Sequence, residues 1–205
     1  MQPAYFYSSE ISVNQKEFKL SGSEAHHAIK VRRVTEGEIV FITNGEGLVV
    51  EAIVLKIESG KSLLLESRQT QQQNQKKPII AVAQALAKGD RSDLSVELLT
   101  EVGVDEIIPW QANRSVSKWD EKEDKALEKW IQISRESSKQ SRRGIFPKMT
   151  NVLKSPNLVN IFNKFSKVIV LDPDSPKKII DQIENNLESY LLVIGPEGGI
   201  EKEEL

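Results

Sequence analysis

Apolar and polar positions alternate through much of the N-terminal part of the chain. Ile39–Thr43 and residues 48–57 are rich in β-branched side chains and flank Asn44-Gly45, a pairing that predicts a hairpin. A further short strand is expected over 62–66, after Ser59-Gly60. One helix interrupts these strands. It starts near Ser21-Gly22-Ser23-Glu24, which has the spacing of a capping box, and runs through Ala28 to about Val31. Strands this short and numerous suggest a small β-barrel carrying one helix. Residues 67–77 hold five glutamines and no apolar side chain, so they read as a linker or long exposed loop.

After the linker the period changes. Residues 79–86 form a continuous apolar run, as in a strand buried on both faces. The helix expected next places Leu94, Leu98 and Val102 on one stripe, Asp90 and Asp93 near its positive N-terminus, and Gly103 at its end. Residues 104–109 return as a strand and complete a βαβ unit. A long helix is expected over 121–141, with Trp130, Ile131 and Ser134 on its less polar face. Strands follow at Lys167–Leu171 and 190–194, with a helix over 176–186 between them. Alternating strands and helices make a parallel α/β sheet. The fold class expected is α/β, with a barrel domain over 1–72 and an open α/β domain over 73–205. The residues after Gly198-Gly199 look like a first helical turn broken off at Leu205, which suggests an incomplete chain.

Composition narrows the chemistry. The chain has no cysteine, so disulfides, thiolate metal sites and cysteine nucleophiles are excluded. No apolar run is long enough to span a bilayer and no signal peptide opens the sequence, which makes a cytoplasmic protein the default. The two histidines, His26 and His27, are adjacent; neighbours on a helix point about 100° apart and cannot chelate one ion, so no metal is expected. Basic and acidic groups nearly balance at 28 and 30. Locally, however, Arg135, Lys139, Arg142, Arg143 and Lys148 face a single acid, Glu136. Such a run is either a solvated helix face or an edge for a polyanion.

The sharpest local feature is Gly195-Pro196-Glu197-Gly198-Gly199, directly after a predicted strand. Ligands of open α/β sheets bind beyond the carboxyl ends of strands, and glycines there let backbone approach a ligand. A tight turn with no ligand is the alternative. Neither a dinucleotide fingerprint nor a P-loop occurs. Asn113-Arg114-Ser115 matches a glycosylation sequon, which is without meaning where no secretory signal exists.

Several segments together resemble one family. His26-His27-Ala28-Ile29-Lys30-Val31-Arg32-Arg33 is followed by Gly37; Lys88-Gly89-Asp90-Arg91 leads to Thr100-Glu101-Val102-Gly103-Val104 and Ile107-Ile108-Pro109. Asn113-Arg114-Ser115-Val116, Lys129-Trp130, Ser134-Arg135-Glu136, Gln140-Ser141, Arg143 and Pro147 come next, and Leu192-Val193-Ile194 with the glycine-rich loop closes the series. The set is similar to the SPOUT-superfamily 16S ribosomal RNA (uracil-N3) methyltransferases, from about residue 5 onward.

That resemblance implies a PUA-like RNA-binding barrel and a methyltransferase domain with a C-terminal trefoil knot. It also implies S-adenosylmethionine as cofactor, small-subunit ribosomal RNA as partner, and a homodimer. Two of the three cofactor loops would be the one after Leu171 and the one formed by Ile194, Gly195, Pro196, Glu197, Gly198 and Gly199. The third would lie beyond Leu205, so an inactive form of the enzyme is one expectation. Uracil N3 becomes nucleophilic on losing its proton, and cationic donors stabilise the anion. Arg143 and Arg114 are the catalytic candidates; Glu197 is expected to anchor its loop rather than act as base. His27, Arg32, Arg33, Arg91, Arg135 and Arg142 are expected to contact RNA. A non-catalytic RNA-binding module and a nucleotide-binding metabolic enzyme are the competing functions.

Overall fold

The structure, a computed structural model, describes residues 3–204 and divides into two compact units. The first comprises residues 3–75 together with Ser138–Phe146; the second comprises Lys76–Ser137 together with 147–204. The C-terminal stretch expected to stand as one domain thus lends a short segment to the N-terminal unit.

Among the described residues, five strands build the first unit: β1 (Tyr5–Tyr7), β2 (Glu17–Leu20), β3 (Ile39–Thr43), β4 (Leu48–Glu58) and β5 (Ser62–Gln72), in the order β1-β3-β4-β5-β2. β1 lies parallel to β3 and the other pairs are antiparallel. Strand alternation turns Phe6, Phe18, Val40, Ile42, Val50, Leu63 and Leu65 into one core, and shifts of register between β4 and β5 bend the sheet around it. Helix α1 (Gly22–His26) runs into a π-helical turn (His27–Val31), and its Ala25 and Ala28 close the core.

Two expectations fail here. β5 continues to Gln72, so half of the glutamine-rich stretch is strand: β4 supplies its backbone partners, down to the pair Leu48↔Gln72, and its polar side chains need no burial. The capping box at Ser21 does not form. Glu24 instead accepts hydrogen bonds from the Tyr7 N–H (3.0 Å) and from Lys139 Nζ (2.7 Å).

The second unit contains β6 (Ile79–Ala85), α2 (Asp90–Glu101), β7 (Glu106–Gln111), α3 (Glu123–Gln140, whose last three residues belong to the first unit), β8 (Lys148–Met149), β9 (Leu153–Lys154), α4 (Ser155–Val159), β10 (Lys167–Leu171) and β11 (Ser189–Ile194). Its sheet is parallel, ordered β10-β11-β6-β7-β8, with β9 also on β7. Both faces are covered. Ala81, Ala83, Trp110 and Leu191 pack with Leu158 of α4; Val82, Leu86 and Ile107 pack with Val96 of α2 and Trp130 of α3.

Helix α2 buries Val96 and Thr100, so the stripe Leu94, Leu98 and Val102 faces outward, at 50%, 49% and 76% exposure. Residues 176–186 are not a helix. Only a 3-10 turn, Ile179–Gln182, forms, because Ile179, Ile180 and Ile183 stay exposed and short helices depend on a buried face. The Tyr190 hydroxyl accepts from the Glu184 N–H and donates to its carbonyl, holding that stretch irregular.

Helix α3 ends in a Schellman motif. The Arg143 N–H reaches the Ser138 carbonyl and the Arg142 N–H reaches that of Lys139, with Arg142 left-handed at φ 58°. The chain then runs along the first unit. The Gly144 carbonyl accepts from Thr43 Oγ1 and the Gly47 N–H, and the Phe146 N–H donates to the Gly45 carbonyl.

Candidate active site

The parallel strands of the second unit end in register. Leu171 pairs with Ile194, Ile194 with Gln84, and Gln84 with Pro109, so the loops beyond them form one rim. Ligands of open α/β sheets bind at such a rim. Beside Leu171 lies a cavity of about 440 Å³, lined by Val170, Leu171, Asp172, Pro173, Lys177 and Ile179 among others. Its size lies within the range of small-molecule sites.

The glycine-rich loop after Ile194 is clamped from the loop after β7. Arg114 Nε donates to Glu201 Oε1 and its terminal guanidinium nitrogen donates to the Gly198 carbonyl, each at 3.1 Å. Asn113 Nδ2 donates to Glu201 Oε2 at 2.8 Å. These bonds from Asn113 and Arg114 hold the Glu201 carboxyl below the usual carboxylate range.

Behind the clamp sits a buried carboxylate, Glu204. It accepts from the Asn113 N–H (2.7 Å), Ser155 Oγ (2.6 Å) and the Glu201 N–H (3.0 Å), while Ser155 Oγ accepts from Trp110 Nε1. Burial pushes the Glu204 carboxyl up, but the bonds from Ser155, Asn113 and Glu201 outweigh it and the net shift is downward. Arg91, in the first turn of α2, completes the rim with a 3.6 Å ion pair to Glu197. Both partners are exposed, so the pair adds little stability.

The glycines serve their own chain more than a ligand. A Cβ on Gly195 would stand 2.6 Å from the Ile200 side chain, and one on Gly198 would stand 3.2 Å from Arg114 Cβ. At Gly199, with φ 76°, nothing lies within 4 Å, and the loop is open. Pro196 is buried, whereas Glu197, Gly198 and Gly199 are exposed.

Among the expected residues, Arg91, Arg114, Leu171, Ile194 and the loop 195–199 come together on the second unit. Arg135 stands half-buried on α3 in the same unit. The first unit carries His27, Arg32, Arg33, Arg142 and Arg143. His27 packs edge-on against Phe6 at 6.2 Å, and Arg32 and Arg33 are exposed. Lys139, counted in the basic run, is buried against Glu24. Asn113, Ser155, Glu201 and Glu204 were not anticipated. The Glu201-x-x-Glu204 spacing after Gly199 was the available signal, since the Glu204 carboxylate meets the Glu201 N–H as in a capping box. Among the described residues no cluster of histidines and acids could hold a metal, and no helix is long and apolar enough to cross a membrane.

Comparison with known proteins adds to this geometry. A family model described as an RNA methyltransferase domain matches residues 74–205, and one described as an RNA methyltransferase PUA domain matches 20–66. The chain is 35% identical over 193 residues to ribosomal RNA small subunit methyltransferase E of Mycobacterium bovis, covering 91% of this chain and 72% of that protein. The Bacillus subtilis protein of the same name is 30% identical over 198 residues, covering 92% and 77%. A putative methyltransferase from Legionella pneumophila, solved with bound S-adenosylmethionine, superposes with a TM-score of 0.88 at 25% identity, over 100% of this chain and 84% of that one. Ribosomal RNA small subunit methyltransferase E from Neisseria gonorrhoeae shares the fold, with a TM-score of 0.87 at 22% identity over 99% and 84%.

Proposed function

The chain belongs to the ribosomal RNA small subunit methyltransferase E family, and on that premise we propose that it transfers a methyl group from S-adenosylmethionine to N3 of a uridine in small-subunit ribosomal RNA. The observation that carries this reading is the carboxyl rim. There Leu171 and Ile194 end neighbouring strands, and the loop 195–199 is held rigid by Arg114.

The rim fits S-adenosylmethionine. The cavity beside Leu171 has the size for a nucleoside, Gly199 leaves room above its backbone, and Asp172 on the cavity wall provides a carboxylate for a cationic ligand. Leu171, Ile194 and the loop 195–199 would hold the cofactor, which supplies an electrophilic methyl group when bound. Arg114 acts as a positioning residue, since its guanidinium is committed to Gly198 and Glu201. A rigid loop places the reacting groups and supplies rate through orientation.

Arg143 is the residue we assign to the uracil anion. It stands just past the end of α3, where its backbone is fixed by the Schellman motif, and a guanidinium fork suits a uracil oxygen on which charge develops. Arg32, Arg33, Arg91, Arg135 and His27 are assigned to RNA backbone contacts. The dimer is supported by the outward apolar stripe of α2. The test is methyl transfer from labelled S-adenosylmethionine to small-subunit RNA, with the product nucleoside identified by mass spectrometry. N3-methyluridine is expected. Label on another base, or none with cofactor bound, would overturn the assignment.

A further inference from the structure

The first unit carries an aromatic surface that the proposed chemistry does not use. Tyr5 and Tyr7 alternate with the buried Phe6 along edge strand β1, so both tyrosines project from the face opposite the core. Tyr5 pairs in register with Phe41 of β3, and their rings stack at 5.0 Å with planes 15° apart. Tyr7 packs on Phe146 at 5.7 Å. All four rings are only half-buried.

The segment that crosses this unit brings charge. Residues 1–75 hold eight basic and nine acidic side chains, and Ser138–Phe146 adds Lys139, Arg142 and Arg143 with no acid. Lys139 is committed to Glu24, whereas Arg142 is exposed. The segment that carries Arg142 is fixed against the aromatic strands by geometry: its Phe146 packs on Tyr7, and its Gly144 carbonyl accepts from Thr43 Oγ1 of β3. Burial raises the Tyr5 phenol pKa, and the Arg142 charge opposes that rise.

Arg142 also occupies a position that its own side chain disfavours. It is the left-handed residue of the Schellman motif, where glycine is the least costly choice. An exposed arginine held at a strained position, on the segment that packs Phe146 against Tyr7, suggests a role for that arginine. Half-exposed aromatic rings next to a cation form the usual receptor for a nucleobase and its phosphate.

We propose that Tyr5, Phe41 and Arg142 form a binding site for an unpaired nucleotide of the RNA, the base extending the Tyr5–Phe41 stack and Arg142 holding a neighbouring phosphate. This rests on RNA being the substrate. It adds a site that selects single-stranded or opened RNA, because a base inside a duplex offers no free face.

The test uses the full chain, a short fluorescein-labelled oligouridylate and an RNA duplex of equal length, read by fluorescence anisotropy across a salt series. Tyr5→Ala and Phe41→Leu are each expected to weaken oligouridylate binding about fivefold or more, with little change for the duplex. Tyr5→Phe should keep the affinity. Arg142→Gly relieves the backbone, so it should not lower the thermal midpoint, yet it should weaken binding and reduce the salt slope by about one. Folded Tyr5→Ala and Arg142→Gly variants that bind oligouridylate like the parent would overturn the site, as would equal losses on the duplex. A parent chain that binds neither RNA would overturn the underlying methyltransferase reading instead.

Discussion

Lys139 Nζ lies 2.7 Å from Glu24 Oε1, and only 6% and 15% of the two side chains reach solvent. The second oxygen of Glu24 takes the Tyr7 N–H, so one carboxylate ties α3's last turn, α1 and β1 together. A buried pair of this kind is costly to form and costly to break singly.

Glu24→Ala leaves the Lys139 ammonium buried without its carboxylate. We expect it to lower the stability of the first unit by about 3–5 kcal/mol. The double variant Glu24→Leu with Lys139→Met should recover much of that loss, because no charge is then stranded. Urea titration of both variants measures this, and a single variant within 1 kcal/mol of the parent would count against a buried pair.

The loop clamp predicts graded effects at Gly198. Alanine there would bring a Cβ to 3.2 Å from Arg114 Cβ, which a small shift relieves, whereas valine adds two methyl groups into the same space. Gly198→Ala should keep S-adenosylmethionine affinity within a few fold, and Gly198→Val should lower it about tenfold or more, roughly 1.4 kcal/mol. Calorimetric titration decides. Equal affinities would mean that the clamp does not shape the cofactor site.

Glu201 and Glu204 both have carboxyl pKa values lowered by hydrogen bonds. A depressed folded-state value contributes stability above the unfolded value, and that stability is lost as pH falls through the folded one. The loss therefore begins near the ordinary glutamate value of about 4.3 and deepens below it. Thermal midpoints of the parent should fall in that window, and Glu204→Gln should show a flatter acid limb. A steeper limb in Glu204→Gln would contradict the assignment. At neutral pH the same variant should cost about 1–3 kcal/mol, because an amide replaces a buried carboxylate that accepts from three donors.

The outward stripe of α2 predicts self-association. Leu94 and Leu98 stand one turn apart with about half of each exposed, an apolar surface left for a second copy to cover. Leu94→Glu combined with Leu98→Glu should convert a dimer to a monomer in sedimentation without lowering the thermal midpoint. A parent chain that sediments as a monomer would remove the dimer from the proposal.

What the sequence made legible follows from how local each signal is. The runs Ile39–Thr43 and Lys167–Leu171 coincide with β3 and β10, since β-branched periodicity needs no partner to be visible. Gln69 and Gln71 were misplaced because their strand character comes from β4, which no local pattern reports. The stripe of Leu94, Leu98 and Val102 has helical spacing, but spacing does not say which face meets the sheet. At the rim, the loop 195–199 stood out by composition. Its clamp did not, because Asn113 meets Glu204 across 91 residues of chain. Arg114 was expected to meet the uracil anion, and together with Asn113 it makes the contacts to the loop and to Glu201.

Arg143 carries the catalytic prediction. The bond from its N–H to the Ser138 carbonyl is made by the backbone, so truncation to alanine keeps it, and the thermal midpoint of Arg143→Ala is measured beside its activity. What is lost is the guanidinium, a delocalised cation whose fork suits a uracil oxygen as charge develops on deprotonation. Its removal should act on the transition state more than on ground-state binding. Arg143→Ala is therefore expected to lower single-turnover methylation of small-subunit RNA about tenfold or more, on the order of 1.4 kcal/mol, with S-adenosylmethionine affinity nearly unchanged. Arg143→Lys retains the charge but not the fork and should fall between the two. Raising the pH supplies more of the deprotonated uracil, so the deficit of Arg143→Ala should narrow as pH increases if the guanidinium stabilises the anion. A deficit constant across pH would make Arg143 an RNA contact only, and a loss of cofactor affinity would place it in the other site.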